Sequence, residues 1–193
     1  MPGPHKGLRI GLFGGSFNPA HEGHRHVAET ALKRLQLDWV WWIVARGNPL
    51  KVSHGHYGAR LASAEIVARH PRMRVSTIER DLNLTYTHDV IRLLEQRCRS
   101  TRFAWIMGAD SLSNFHRWAS WREIAKQVPI AVITRPGAGP AARMSRFCNT
   151  FNTARRPEME AAGLADADPP AWTVLKAPLN AASSTALRKP SHV

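Results

Sequence analysis

A chain of 193 residues, 44% hydrophobic and 21% charged, is long enough for one folded domain and too apolar for a disordered one. Its net charge of +13 indicates an anionic partner (nucleic acid, an anionic membrane or a phosphate-rich small molecule) or a basic solvated surface. The basic residues form no block of about five or six like charges, and the longest apolar run, Trp39 to Ala45, is far shorter than the ~20 residues of a membrane span.

Six apolar runs, short and nearly continuous, are typical of strands that are covered on both faces. They are Leu8–Phe13, Trp39–Ala45, Met73–Ile78, Phe103–Met107, Ile130–Thr134 and Trp172–Lys176. Helical patterns separate the first four: one with Val27, Ala28, Ala31, Leu32 and Leu35, one with Leu61, Ala64, Ile66 and Val67, and one with Val90, Ile91, Leu93 and Leu94 behind Thr87 as N-cap. This alternation predicts an α/β fold with a doubly wound parallel sheet.

The stretch Gly137–Pro170, here called the insertion segment, breaks this rhythm with repeated glycine and proline. A structureless loop of that length is unusual inside a compact domain. We therefore predict one domain over residues 1–193, with a flexible insertion at 137–170 that is helical around Met144 to Ala154.

Two cysteines, Cys98 and Cys148, do not make a disulfide framework. With no signal-peptide pattern behind Met1, they indicate a cytoplasmic protein.

The densest signal is the segment Gly11–His24, which leaves the first predicted strand and opens the first helix. Glycines at such a corner let the backbone approach a ligand, and free amides at a helix start favour phosphate. His21 and His24 are three residues apart and can donate hydrogen bonds to phosphoryl oxygens from one side of the helix. The pair lacks a third metal ligand at a recognisable spacing, and no Walker-type Gly-Lys-Ser/Thr follows. Gly14-Gly15 by itself also fits an ordinary turn.

The pattern Gly-Gly-Ser-Phe-Asn-Pro-x-His-x-Gly-His at residues 14–24 resembles the signature of nucleotidyltransferases related to class I aminoacyl-tRNA synthetases. Within these, the chain is most similar to the bacterial nicotinate-nucleotide adenylyltransferases. Further motifs occur in the order of that family: Asn48-Pro49-Leu50-Lys51, Leu84–Thr87, Ile106–Leu112, Phe115–Trp118 with Trp121, and Ser183–Arg188. The first of these lacks the His of the family's usual Pro-Pro-His-Lys. The resemblance spans residues 8 to 188 and implies a Rossmann-like nucleotidyltransferase fold.

The implied reaction transfers the adenylyl group of ATP to nicotinate mononucleotide, giving nicotinate adenine dinucleotide and pyrophosphate in NAD biosynthesis. The resemblance implies His21, His24 and Arg188 as catalytic residues. It implies ATP contacts at Gly14, Gly15, Ser16, Phe17, His21, His24, Lys51, Gly108, Asp110, Ser184, Thr185 and Arg188, and nicotinate mononucleotide contacts at Thr85, Tyr86, Thr87 and Trp118. It implies no protein metal ligands, since Mg²⁺ enters on the phosphates of ATP.

Other interpretations stay open from the residues alone. Asp110 also fits a helix cap, and Arg188 a frayed terminus. The same fold can serve another acceptor, such as nicotinamide mononucleotide, phosphopantetheine, or a sugar or polyol phosphate, and residue types do not separate an acid from an amide. A basic nucleic-acid-binding protein would leave the His21–His24 and Ser183–Arg188 motifs unexplained. We therefore expect ATP and nicotinate mononucleotide as partners, neither membrane nor specific nucleic acid, and an open oligomeric state that includes a homo-oligomer.

Overall fold

The structure is a computed structural model that describes residues 2–47, 55–134 and 145–177, and it forms a six-stranded sheet with helices on both faces. Its strands are β1 (Arg9–Gly15), β2 (Trp39–Val44), β3 (Met73–Ser76), β4 (Arg102–Gly108), β5 (Ile130–Thr134) and β6 (Trp172–Lys176). Its α-helices are α1 (Glu22–Arg34), α2 (Tyr57–Val67), α3 (Ile78–Asp81), α4 (Thr87–Arg97), α5 (Ala109–Asn114), α6 (Trp121–Gln127) and α7 (Arg146–Thr150). Short 3₁₀ helices within the described ranges cover Phe115–Arg117, Asn152–Ala154 and Glu158–Asp166.

The strands lie in the order β3-β2-β1-β4-β5-β6, and each neighbouring pair is parallel. From β1 the chain winds outward through β2 to β3, returns to β4 beside β1, and then winds outward the other way. The prediction of a Rossmann-like, doubly wound parallel sheet is therefore confirmed. None of the helices in the described ranges is both long and apolar enough to cross a membrane.

Two apolar cores cover the two faces of this sheet, because successive side chains of a strand point to opposite sides. On one face Leu12 and Trp105 pack with α4 and α6. On the other face Phe13 and Trp42 pack with α1 and α2. Full burial of one such side chain stabilises the fold by about 1.5–3 kcal/mol, so continuous apolar strands are what a sheet covered on both sides requires.

Several residues lie differently from the sequence prediction. The third strand ends at Ser76, whose hydroxyl accepts a hydrogen bond from the N–H of Ile78 at 3.3 Å as α3 begins. Thr87 is the first residue of α4 and not its N-cap, which is Tyr86. Ile66 is 59% exposed, so it lies off the buried stripe of α2. Apolar character alone extended the third predicted strand to Ile78 and put Ile66 on the buried face of its helix, whereas Thr87 lies one position further inside its helix than predicted.

From Ser145 onward the insertion segment contributes to both cores; its residues before Ser145 lie outside the described part of the chain. Phe147 of α7 joins the core on one face, and Leu164 of the longest 3₁₀ helix joins the core on the other. The indole nitrogen of Trp172 donates a hydrogen bond of 2.6 Å to the carbonyl oxygen of Phe151. This part of the segment is thus packed on the sheet, whereas its flexibility stays a prediction.

Candidate active site

The centre of the sheet is the place where the winding direction reverses. β1 and β4 lie side by side there, with Phe13 in register with Ile106. The connection that leaves β1 leads to β2, and the connection that leaves β4 leads to β5 on the opposite side. Open α/β sheets bind ligands at the carboxyl ends of two strands whose connections part in this way. The predicted segments at Gly14–His24 and Gly108–Leu112 both begin at this edge.

His21 and His24 form the start of α1. His21 is its N-cap, and the Nδ1 atom of His21 accepts a hydrogen bond from the N–H of Gly23 at 3.1 Å. In return, the Nδ1 atom of His24 accepts from the N–H of His21 at 3.2 Å. The two rings are 3.9 Å apart between centroids. The two imidazoles therefore cap the helix reciprocally, as the side chains of a capping box do.

These hydrogen bonds fix the tautomer of both rings. An Nδ1 atom that accepts a hydrogen bond has no hydrogen of its own, so a neutral ring carries its hydrogen on Nε2. Because Nε2 lies across the ring from Nδ1, it points away from the amides that Nδ1 caps. The amide of His24 in turn donates to the carbonyl oxygen of His21 at 2.8 Å. The N–H groups of Gly23 and His24 therefore already have acceptors within the turn.

A cluster of buried aromatic side chains packs against the ring of His24. The ring of His24 lies edge-on to Phe17 at 5.2 Å, and Phe17 lies 5.1 Å from Trp42 and 5.5 Å from Phe13. Phe17 is only 2% exposed and has a left-handed backbone with φ of 46°. Its side chain therefore belongs to the core, so a contact between Phe17 and ATP, if made, uses the backbone. Ser16, beside it, is half-buried.

Gly14 and Gly15 are required by packing inside the protein. A Cβ atom on Gly14 would overlap the ring of Trp105, and a Cβ atom on Gly15 would lie 2.9 Å from the ring of Phe17. Neither glycine has a positive φ. The expectation from sequence was that these glycines admit a ligand. The described contacts show that these glycines also admit two aromatic side chains, which a local motif does not reveal, and their contact with ATP stays a prediction.

Gly14→Ala is expected to destabilise the protein by about 1–3 kcal/mol, because the new methyl group would overlap the buried ring of Trp105. Gly47→Ala is the matched control, since a Cβ atom there meets nothing within 4 Å. Its effect should stay within about 0.5 kcal/mol. Urea unfolding of both variants measures the difference. Equal stability would mean that Trp105 moves aside at no cost.

Gly108 is the last residue of β4, and Asp110 follows two residues later. Gly108 is the N-cap of α5, and Asp110 is an exposed residue in the first turn of that helix. A Cβ atom on Gly108 would contact the Oδ1 atom of Asp110, so glycine lets this carboxylate fold back over the turn. Asp110 is therefore not the cap that the alternative interpretation proposed, and it remains an exposed acceptor at the edge of the site.

The predicted pyridine-nucleotide residues lie on two other elements. Thr85 and Tyr86 are exposed and Thr87 is half-buried where α4 begins, and the Tyr86 ring is stacked 6.2 Å from His88. Trp118 is half-buried and lies edge-on to Trp105 at 6.1 Å. Trp105 is the same side chain that covers Gly14. Trp118 is thus one side chain away from the carboxyl end of β1.

Four predicted site residues lie outside the described part of the chain. They are Lys51, Ser184, Thr185 and Arg188. Their assignment to ATP, and that of Arg188 to catalysis, rests on the sequence motifs and stays a prediction.

Two buried charged residues near the site were not anticipated. Arg60 on α2 is 2% exposed, and its guanidinium donates to backbone carbonyl oxygens, among them that of Ser16 at 2.8 Å. Glu79 on α3 is 6% exposed and accepts a hydrogen bond of 2.9 Å from the N–H of Arg46. The sequence holds a signal for one of them. Arg60 lies between Tyr57 and Ala64 on the apolar stripe of its helix, and an arginine at such a position needs hydrogen-bond partners inside the protein.

The carboxyl group of Glu79 has an unusual protonation equilibrium. Burial raises its pKa from an ordinary 4.5 to about 7, although the hydrogen bond from Arg46 and the charge of Arg60 both act to lower it. The ring of Tyr57 lies between two guanidinium groups, those of Arg60 and Arg80, each 5.1 Å from its centroid. The connection between β2 and α2 is therefore anchored at its described ends on a buried polar cluster of Arg60 and Glu79.

Comparisons with known proteins agree with this architecture. The family described as cytidylyltransferase-like matches residues 12–190. A protein of Caulobacter sp. (strain K31) named "probable nicotinate-nucleotide adenylyltransferase" is 54% identical over 183 residues, 94% of this chain and 97% of that protein. A protein of Rhizobium meliloti (strain 1021) with the same name is 48% identical, over 94% of this chain and 97% of its own. The solved Plasmodium falciparum nicotinic acid mononucleotide adenylyltransferase complexed with NaAD has a TM-score of 0.70 over 95% of this chain and 83% of its own; at 16% identity it shows the shared fold.

Proposed function

This chain belongs to the cytidylyltransferase-like family and, within it, to the bacterial nicotinate-nucleotide adenylyltransferases, and we propose how its own residues carry out that reaction. The enzyme transfers the adenylyl group of ATP to nicotinate mononucleotide, releasing pyrophosphate. The observation that carries the proposal is the His21–His24 pair at the carboxyl edge of β1. Two fixed N–H donors there suit the phosphates of a nucleotide.

Catalysis of this reaction requires the protein to position the two substrates and to supply positive charge near their phosphates. The second pKa of a phosphate monoester is about 6, so the attacking phosphate of the mononucleotide is largely ionised at neutral pH and needs no general base. It attacks the α-phosphorus of ATP, and the bond from that phosphorus to the oxygen that bridges the α- and β-phosphates breaks, so that this oxygen leaves with pyrophosphate. His21 and His24 would donate hydrogen bonds to the phosphate oxygens that gain charge. Lys51 and Arg188 would add positive charge, the arginine as a planar fork.

Mg²⁺ fits this scheme as an ion carried by ATP. Within the described residues no group of three or more His, Cys, Asp or Glu side chains could hold a metal. Mg²⁺ commonly keeps several waters and binds nucleotide phosphates directly, so a protein cage is not needed. When bound it would neutralise charge on the departing pyrophosphate. Asp110, exposed after β4, is proposed to accept hydrogen bonds from ribose hydroxyls of ATP.

Trp118 and the Thr85–Thr87 segment are proposed to bind the pyridine mononucleotide. An exposed indole face can stack on the pyridine ring, and backbone amides at the start of α4 can receive its carboxylate. We place the reaction in the cytoplasm, where ATP is supplied. The partners are the two small-molecule substrates.

Trp118→Ala is expected to raise the KM for nicotinate mononucleotide about tenfold and to leave the KM for ATP nearly unchanged, since stacking on an aromatic side chain contributes about 1–3 kcal/mol. Steady-state kinetics with each substrate varied in turn measure the two constants. Trp39→Ala is the control, because Trp39 is also half-buried but lies at the amino-terminal end of β2, away from the proposed site. Its ring packs against the guanidinium of Arg74, 4.6 Å from the ring centroid. An unchanged acceptor KM in Trp118→Ala would remove Trp118 from the site.

The acceptor is tested by supplying nicotinate mononucleotide, nicotinamide mononucleotide and phosphopantetheine separately with Mg·ATP and comparing kcat/KM for pyrophosphate release. The proposal expects the acid to be preferred. Preference for either of the others would retain the fold and the phosphate chemistry and would overturn the substrate.

A further inference from the structure

Arg60 donates hydrogen bonds to the loop between β1 and α1 and to both described ends of the connection between β2 and α2. Its Nη1 atom donates to the carbonyl oxygens of Ser16 at 2.8 Å and Ala45 at 2.7 Å. Its Nη2 atom donates to the carbonyl oxygen of Arg46 at 3.1 Å, and its Nε atom to that of Gly55 at 3.0 Å. One guanidinium therefore ties the loop after β1 to the loop after β2 and to the approach to α2.

Burial of this charge is costly for stability alone. Desolvation lowers the pKa of Arg60, and moving a charge out of water is unfavourable even after the structure relaxes. An apolar side chain of similar volume commonly fills such a position with equal or better stability. What an apolar side chain lacks is a planar set of donors that fixes several carbonyl oxygens at once. The geometry thus favours a role in positioning over a role in packing.

Ser63, one turn after Arg60, provides a second anchor for the same loop. Its hydroxyl oxygen accepts a hydrogen bond from the N–H of Ala20 at 3.0 Å and donates to the carbonyl oxygen of Arg60 at 2.8 Å. Ala20 directly precedes His21. The loop between β1 and α1 is therefore held at its first residue, Ser16, by Arg60 and at Ala20, just before the N-cap, by Ser63, both from α2.

We propose that Arg60 is a positioning residue for adenylyl transfer, which through the carbonyl oxygen of Ser16 holds the His21–His24 turn in the geometry that the phosphates of ATP require. The inference rests on the proposed function and deepens it. Arg60 is 2% exposed, so it acts through the backbone of the loop rather than by touching the substrate. A displacement of about 1 Å at a catalytic group can lower a rate about a hundredfold.

The main test is Arg60→Lys, which keeps the charge and the aliphatic stem but cannot reproduce the planar fork. We expect kcat to fall about a hundredfold while the KM for nicotinate mononucleotide changes less than about twofold. Ser63→Ala, which removes one anchor without disturbing a charge, should lower kcat about tenfold by the same mechanism. Glu65→Gln, on the exposed side of the same helix, is the matched control and should behave as wild type.

Two measurements separate positioning from general destabilisation, and both work without turnover. The nitrogen NMR shifts of His21 and His24 report the hydrogen on Nε2, and we expect a mixed tautomer in Arg60→Lys at temperatures where the circular dichroism is that of the wild type. Calorimetry with α,β-methylene-ATP should show weaker nucleotide binding in the same variant.

Wild-type tautomers, wild-type nucleotide affinity or wild-type kcat in folded Arg60→Lys and Ser63→Ala would overturn the inference. So would a loss of kcat that only follows the fraction of unfolded protein. An inactive wild-type enzyme would overturn the proposed function instead, and the tautomer and affinity measurements would still decide the role of Arg60.

Discussion

His21→Asn is expected to lower kcat by about two to three orders of magnitude, with little loss of stability. The Oδ1 atom of asparagine can accept from the N–H of Gly23 as the Nδ1 atom of His21 does, and asparagine is among the best N-cap residues. The substitution therefore keeps the cap and removes the Nε2 hydrogen-bond donor. Stopped assays of pyrophosphate release give kcat, and urea unfolding gives the stability.

His26→Asn is the control for this substitution, because His26 is half-buried on the same helix but is not part of the cap. Its kcat should stay near that of the wild type. His21→Ala removes cap and donor together and should lose about 1 kcal/mol of stability in addition. If His21→Asn turned over ATP at the wild-type rate, the imidazole would not contact the reacting phosphates.

The free energy of unfolding is expected to fall by about 3 kcal/mol between pH 4.5 and pH 7 on account of Glu79 alone. Its pKa is about 7 in the folded protein and near 4.5 in the unfolded chain, so between these values the folded protein holds a proton that the unfolded chain has released. The unfolded state then binds fewer protons, and stability decreases as the pH rises until Glu79 ionises in both states.

Glu79→Gln should remove this dependence, because the amide is neutral and its oxygen can still accept from the N–H of Arg46. Urea unfolding at pH 5 and pH 8 should show the variant gaining stability over wild type as the pH rises. Glu65→Gln, at an exposed position of α2, should follow the wild type at both values. A constant difference between Glu79→Gln and wild type would mean that Glu79 ionises normally.

Much of the fold could be predicted because the sheet is buried on both faces. β5 and β6 begin and end where the prediction put them; Pro129 directly precedes β5, and β6 lies between Pro170 and Pro178 in the sequence. β1 and β4 extend further than predicted, to Gly15 and Gly108, because strand pairing continues into glycines that carry no hydrophobic signal. Polarity marks where an apolar run stops, but backbone pairing decides where a strand stops.

The site shows the same division between local and long-range information. His21 and His24 are three residues apart, so their proximity follows from helix geometry. The role of Arg60 depends on a hydrogen bond to Ser16 across 44 residues of chain, and the need for glycine at position 14 depends on Trp105. Such contacts arise only when distant segments pack. The histidine motif could therefore be predicted from the sequence, whereas the residues that hold it in place could not. The contacts of Lys51, Ser184, Thr185 and Arg188 stay predictions from the motifs.

The most direct test of the account follows the α-phosphorus of ATP. The wild-type enzyme is incubated with nicotinate mononucleotide, Mg²⁺ and ATP labelled at the α-phosphate, and the products are separated and identified by mass. The account predicts that the label appears in nicotinate adenine dinucleotide and that unlabelled pyrophosphate is released in equal amount. Folded protein that forms no labelled dinucleotide, or that passes the label to a different acceptor in preference, would contradict it.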